Sequence, residues 1–401
     1  MNEDVGRTSL WTKDFVLVFV SNMLLFFSFY MLIPVLPYYV MDYLGISQTL
    51  AGIVLALYTI SALLIRPLSG YLVDTFNRKP LYLVCYAVFC AALAGYVVAT
   101  SLLVFILLRI MHGFAFGAGT VSGSTVAVDI MPSARRGEGI GYYGMAASIA
   151  MAVGPAIGYW LYQHHSFSVI FVVALLSGLV GLMAITRIKP IKKPRPADKP
   201  QEILSWDRFV LVNALPMVAL LFLIGIGYGI LTNYLALFCD QKGFEGKAGW
   251  FFMALSVGII IARFLSAKNL NKGKNIQVVY VGSILLGVGF CMFLAADSVF
   301  VLYAIALMIG AGLGHINPAF QGMIVHLAQP YQRGTANATY FTFWDLGVGL
   351  GIAMGGYVIE RLGFLGTFGL CAVLIAFGMV YFMIVSAPYF RKQVGSAVAT
   401  H

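Results

Sequence analysis

Twelve apolar runs, each long enough to cross a bilayer, dominate this 401-residue chain and decide what it can fold into. They cover about 15–40, 48–73, 81–99, 102–128, 140–162, 168–187, 210–238, 248–266, 276–295, 299–327, 336–359 and 363–387. A membrane-spanning helix needs roughly 20 apolar residues, a spanning barrel strand only roughly 9–11. Runs of this length predict helices, because a helix satisfies its own backbone hydrogen bonds where no water can reach them. The expected fold is all-α and integral to a membrane. Composition agrees: 61% of residues are hydrophobic and 10% charged, against roughly 45–50% and 25% in soluble domains. Soluble enzymes, nucleic-acid binders and disordered chains are excluded on this ground.

The net charge of +10 is explained by where the cations lie. Arg7, Lys13, Arg78, Lys79, Arg135, Arg136, a cluster within 187–208, Lys268, Lys272, Lys274, Arg333, Arg391 and Lys392 fall between alternate pairs of runs. The opposite loops hold only Lys242, Lys247 and Arg361. Cationic loops stay in the cytoplasm, so both termini and the central loop are expected there, in a multi-pass protein of the cell (inner) membrane. The charge is a topology signal and not a nucleic-acid footprint. Residues 1–14 are polar, and the first apolar run is too long for a signal h-region, so no cleavable signal is expected. The five cysteines, Cys85, Cys90, Cys239, Cys291 and Cys371, form no CxxC pair and read as free, buried thiols. Neither a metal site nor a cofactor is expected.

The one long polar stretch, 188–208, is rich in Pro and Lys and reads as a flexible linker. It predicts bundles of six helices at 1–187 and 209–401. The halves repeat at a constant shift of 197 residues. Arg66, Leu68 and Ser69 meet Arg263, Leu265 and Ser266; Gly113 and Gly117 meet Gly310 and Gly314; Arg136-Gly137 meets Arg333-Gly334; Gly154 and Gly158 meet Gly351 and Gly355. With six spans per half, the repeats share one orientation in the membrane.

Between the second and third runs stands Gly70-Tyr-Leu-Val-Asp74-Thr-Phe-Asn77-Arg78-Lys79. It resembles the G-x-x-x-D-x-x-G-R-[RK] loop motif of the major facilitator superfamily, with Asn77 in place of the second glycine. Asn is the next best residue for a left-handed turn. Parallel six-helix repeats with a site at the midplane are the architecture of that superfamily, and the resemblance extends over essentially the whole chain. It implies that Asp74 caps the start of the eleventh span and that Arg78 pairs with an acid ending the fourth, here Asp129. Asp129-x-x-Pro132-x-x-Arg135-Arg136-Gly137 is similar to the family's D-x-x-P-x-x-x-R-G segment. Gly70, Asp74, Arg78, Asp129 and Arg136 are thus assigned to a cytoplasmic gate. Gly141, Ala150, Gly154, Pro155 and Gly158 resemble the antiporter motif of drug:proton exporters, with Ala150 and Tyr159 replacing two glycines. The resemblance implies helix packing at Gly154, Pro155 and Gly158, against the eighth span, and favours export.

Arg109-x-x-x-Gly113-x-x-x-Gly117 resembles the R-x-x-x-G-x-x-x-G motif of the fourth span. An intramembrane Arg costs roughly 2.5–3.5 kcal/mol on insertion scales, so it needs a partner or a wet cavity. His112 lies one turn away. Asp345 is the clearest acid near the middle of a span; Asp129, Asp240 and Glu360 lie at ends. An acid there is a functional candidate by default, and loading and releasing a proton at Asp345, aided by Arg109, would couple transport to a proton gradient. The expected cavity lining is Asn22, Phe26, Tyr30, Tyr58, His112, Phe116, Tyr228, Asn233, His315, Asn317 and Trp344. As a set these residues suit an amphipathic or aromatic cargo.

The expected function is a secondary transporter, most simply a monomeric proton-coupled exporter of a small molecule, surrounded by lipid. An importer, a metallophore exporter and a lipid flippase fit the same pattern. An intramembrane hydrolase does not: Ser122 and His112 lie on one helix roughly 15 Å apart along its axis, out of nucleophile–base reach. No GxxxxGK[ST] loop marks an ATP-driven pump.

Overall fold

A computed structural model describes residues 9–46, 48–99, 101–190 and 206–399. The described residues are almost all helical. In chain order the long helices are α1 (Lys13–Leu32), α2 (Gln48–Thr75), α3 (Arg78–Val98), α4 (Leu102–Ile130), α5 (Arg136–His164), α6 (Phe167–Thr186), α7 (Val218–Gln241), α8 (Ala248–Asn271), α9 (Asn275–Cys291) and α10 (Val299–Leu327). A final continuous stretch, Arg333–Tyr381, is broken at Gly363, whose φ of 68° no helix contains. It therefore makes two passes, α11 over 333–362 and α12 over 364–381. A π-helical turn, Phe382–Ser386, leads from α12 into α13 (Ala387–Ala399). Among the described residues eleven helical stretches are long and apolar enough to cross a membrane, and the break at Gly363 divides the last of them. The fold is the twelve-helix membrane architecture.

Some local features differ from the sequence reading. The first apolar run continues to residue 40, yet α1 stops at Leu32. Pro34 has no N–H to extend the ladder, and the chain continues as a short turn, Leu36–Tyr38, and a π turn, Tyr39–Tyr43. The left-handed turn expected at Asn77 is also absent. Asn77 has φ −65° and ψ 123°, an extended residue preceding α3, so nothing there requires glycine.

The chain divides into two compact units, Met1–Ile203 with Arg333–Thr335, and Leu204–Gln332 with Ala336–His401. Residues 191–205, most of the expected linker, lie outside the described residues. In the first unit α1 packs on α5 and α6, α2 on α4, and α3 on α4 and α6. In the second, α10 packs on both α8 and α9. The outer apolar side chains, such as Leu64 and Leu265, remain exposed, the surface a lipid solvent requires.

The 197-residue repeat is visible atom by atom in a close helix contact of each unit. A Cβ added to Gly113 would sit 2.3 Å from the Tyr58 carbonyl oxygen, and one added to Gly310 would sit 2.1 Å from that of Leu255. One turn on, Gly117 faces Ala62 O and Gly314 faces Ile259 O, both at 2.6 Å. The same shift carries Tyr58 to Leu255 and Ala62 to Ile259. Both units thus hold a parallel pair of helices in one register, with small residues letting the backbones meet.

The cysteines form no disulfide. They are not uniformly buried as expected: Cys85 is half-buried and Cys291, at the end of α9, is exposed. Cysteine's thiol is small and apolar enough to face lipid as readily as core.

Candidate functional site

The first unit carries an ionic cluster where α2 hands over to α3. The α11 N-cap, Gln332, makes no side-chain cap bond. Asp74, reaching across from α2, supplies one. Its Oδ1 accepts from the Gly334 N–H at 2.8 Å, and its Oδ2 from the Thr335 N–H at 2.7 Å and hydroxyl at 2.9 Å. A carboxylate at a helix N-terminus is stabilised by free N–H groups and by the helix dipole. Gly334 is needed for this approach: a Cβ there would meet Gly70 O at 2.7 Å and Asp74 Oδ1 at 2.8 Å.

The cluster extends through cations. Arg78, 2% exposed, bridges Asp74 at 3.5 Å and forms a close pair with Asp129. Arg333 donates to the other Asp129 oxygen at 2.8 Å. Arg136 feels both Asp129 and Arg333, and its buried Nε has no hydrogen-bond partner. Two acids thus organise three arginines and the first turn of α11.

Deeper in the same unit, Arg109 is 5% exposed. Its Nη2 donates to Leu55 O at 2.9 Å, and the guanidinium lies 4.6 Å from the Tyr58 ring centroid. Both partners sit on α2, which Gly113 and Gly117 of α4 allow to come close. His112 shares a hydrogen bond of 3.0 Å between Nδ1 and the Tyr96 hydroxyl. Three buried polar atoms here lack hydrogen-bond partners: Arg109 Nε, His112 Nε2 and Tyr58 Oη. Aromatic rings enclose them. Phe116 meets Phe26 at 5.3 Å and Phe29 at 4.9 Å, Phe26 stacks on Tyr30 at 6.0 Å, and Phe89 meets His112 at 4.8 Å. Asn22 is committed elsewhere: its Oδ1 accepts from the Tyr143 hydroxyl and its Nδ2 donates to Tyr143 O, tying α1 to α5.

Gly154 and Gly158 of α5, flanking Pro155, also face α1. A Cβ on Gly158 would lie 2.0 Å from Met31 O, and one on Gly154 2.9 Å from the Tyr30 side chain. The nearest neighbours of both glycines are on α1.

In the second unit Tyr228 and Trp344 meet with ring centroids 5.4 Å apart. Gly225 and Gly229 of α7 sit against the Trp344 and Val348 carbonyls of α11, which brings the two aromatics together. Asp345, next to Trp344, is half-buried. His315 Nδ1 engages Ala311 O one turn back at 2.8 Å, Asn317 Oδ1 is buried without a partner, and Asn233 is exposed. Among the described residues no group of three His, Cys, Asp or Glu side chains could hold a metal ion.

The structure brings Asp74, Arg78, Asp129 and Arg136 together in one cluster, and Arg109, His112, Tyr58, Phe116, Phe26 and Tyr30 in another. Sequence reasoning missed Phe29, Phe89 and Tyr96, which complete the aromatic enclosure, and Thr335, which binds Asp74. Only Thr335 had a signal, as the neighbour of the repeated Arg333-Gly334 pair.

A membrane protein of twelve helices, repeated six by six with this junction, falls within one class of solute carriers. The Major Facilitator Superfamily family model matches residues 18–282 and 248–397, and the chain belongs to that superfamily of small-molecule transporters. It is 29% identical to the uncharacterized MFS-type transporter YhhS of Escherichia coli K12 over 402 residues, 94% of this chain and 95% of that protein. It is 28% identical to YhhS of Salmonella typhimurium LT2 over 94% of this chain and 95% of that protein. The fold is similar to that of the human organic anion transporter MFSD10 (TM-score 0.78, 18% identity, 92% of this chain and 98% of that one). It is similar also to the proton:xylose symporter XylE (TM-score 0.76, 11% identity, 92% and 94%).

Proposed function

We propose that this transporter exports a small amphipathic or aromatic molecule in exchange for protons, by alternating access of two bundles, 1–187 and 209–401. The linker 188–208 and both termini lie in the cytoplasm of a cell whose inner membrane holds the protein as a monomer. The Asp74–Arg78–Asp129–Arg136 cluster acts as the cytoplasmic gate. Arg109 and Asp345 act in proton coupling. The aromatic groups around Phe116 and around Trp344 supply contacts for the cargo. Support for export comes from the glycine pattern of α5.

The observation that carries the coupling reading is Asp345. It is half-buried within α11, whereas Asp74, Asp129, Glu138, Asp240 and Glu360 lie near helix ends. An ionised carboxylate is costly in hydrocarbon unless water or a cation reaches it. A change of surroundings during transport would therefore drive proton release and uptake. The test is purified protein in liposomes under an imposed pH gradient, with substrates found by screening everted vesicles with and without a protonophore. Asp345→Asn is expected to abolish gradient-driven accumulation while keeping part of the downhill exchange. Accumulation at the wild-type rate in this variant would make Asp345 structural.

A further inference from the structure

The repeat pairs Arg66 with Arg263 and, by the same 197-residue shift, Thr120 with Asn317. In the first unit Arg66, 4% exposed, donates from Nη1 to Thr120 Oγ1 at 3.3 Å. In the second unit Arg263 is 7% exposed, yet its Nη1 and Nε have no hydrogen-bond partner. Asn317 Oδ1 is buried and likewise without a partner. The two members of the equivalent pair are thus both open, donor and acceptor alike. The helix register does not cause this. Gly310 on Leu255 and Gly314 on Ile259 keep the contact of Gly113 on Tyr58 and Gly117 on Ala62, and Arg263 and Asn317 follow one turn further along the same pair of helices.

Buried polar groups in native proteins are almost always satisfied, and a buried cation without a counter-charge is costlier still. Among the described residues no acid forms an ion pair with Arg263. The titratable group that acts on it electrostatically is the phenol of Tyr340. A guanidinium offers only donors and an amide oxygen only an acceptor. What fits both is an anion that also carries a donor beside its charge.

We propose that Arg263 and Asn317 form a binding site on the α8–α10 contact for a small organic anion of the 2-hydroxy-acid type. The carboxylate accepts from Arg263 Nη1, and the adjacent hydroxyl donates to Asn317 Oδ1. Arg66 and Thr120, closed on each other, are the non-binding counterpart. The site defines the chemical class of the cargo and so rests on the transporter reading above.

The experiment is equilibrium dialysis of the full chain in detergent against lactate, mandelate and mandelamide, with no gradient. Saturable binding of mandelate is expected, and at least about tenfold weaker binding of the uncharged amide. Arg263→Gln should weaken mandelate binding by about tenfold or more. Asn317→Thr, which installs the residue the first unit uses, should let the pair close and weaken it as well. Arg66→Gln should leave mandelate affinity unchanged. Should Arg263→Gln fail to fold, Asn317→Thr decides. The proposal is overturned if neither acid binds saturably, if the amide binds as well as mandelate, or if Asn317→Thr binds with wild-type affinity. Because dialysis needs no proton gradient, this result is independent of whether Asp345 couples transport.

Discussion

The α2–α3 junction and the α8–α9 junction occupy the same place in the two repeats, and they have become different objects. At the first, Asp74, Arg78, Asp129 and Arg333 are joined by ion pairs and cap α11. At the second, the shift of 197 places Asn271, Asn275 and His326 where Asp74, Arg78 and Asp129 stand. There the turn is made by Gly273 at φ 72°, with Lys268, Lys272 and Lys274 around it. The glycine-mediated contact between α2 and α4 nevertheless survives unchanged between α8 and α10. Packing answers to backbone shape, which both units need. The ionic cluster depends on particular side chains, which the first junction has and the second replaces with Asn271, Asn275 and His326. The packing contact is shared by both junctions and the ionic cluster is not.

This contrast can be broken by exchanging residues between the junctions. Asp74→Ala removes the acceptor of three hydrogen bonds at the α11 N-terminus. Bonds to charged groups contribute about 1.5–3 kcal/mol each. Transport in liposomes is expected to fall by more than about tenfold, since each 1.4 kcal/mol is a factor of ten. Asn271→Ala, at the equivalent place, should transport as the wild type does. Equal losses from both would show that the second junction has kept a gating role.

The shared packing is tested by Gly113→Leu and Gly310→Leu. Each places side-chain atoms against a backbone oxygen that cannot yield. Overpacking of this kind costs about 1–3 kcal/mol, and the two variants should lower the unfolding temperature by similar amounts. Gly287→Ala on α9, with nothing within 4 Å, is the control and should not destabilise. A much smaller loss at Gly310 than at Gly113 would mean that the second unit can relax where the first cannot.

Smaller effects sharpen the picture. Tyr143→Phe leaves Asn22 Oδ1 without its donor and should cost about 1 kcal/mol in denaturant unfolding. Lys242, at the end of α7, pairs with Asp297, between α9 and α10, and the Asp297 side chain is 81% exposed. Asp297→Asn should change stability by less than about 0.5 kcal/mol, a shift that vanishes at high salt.

Much of the fold could be read from run length alone. Lipid leaves helices as the form available to a twenty-residue apolar segment, and most spans were placed within a few residues. The exceptions are informative. The end of α1 depended on Pro34, which hydropathy does not weigh. The break at Gly363 was visible as a polar gap, although the helix runs on to either side of it. The candidate site was only half legible. Asp74, Arg78 and Asp129 belong to a motif, and Arg109 and Asp345 stand out as charges in apolar runs. Phe29, Phe89 and Tyr96 are ordinary residues in such runs, and only the crossing of α1, α3 and α4 makes them a group. Asn22 illustrates the converse, a polar residue that drew notice in sequence and whose polar atoms both go to Tyr143. The open pair of Arg263 and Asn317 was out of reach, because a missing partner has no sequence signature.

We propose that a single junction carries the gate. It is tested most directly by spin-label distances between Phe76 and Lys272, exposed residues at the corresponding ends of α2 and α8, in a background with Cys291→Ser. The measurement compares the wild type, Asp74→Ala and Asn271→Ala in liposomes. The expected result is a shift of the distance distribution toward longer separations in Asp74→Ala alone, with Asn271→Ala superimposable on the wild type. An unchanged distribution in Asp74→Ala, or the same shift in both variants, would contradict the account.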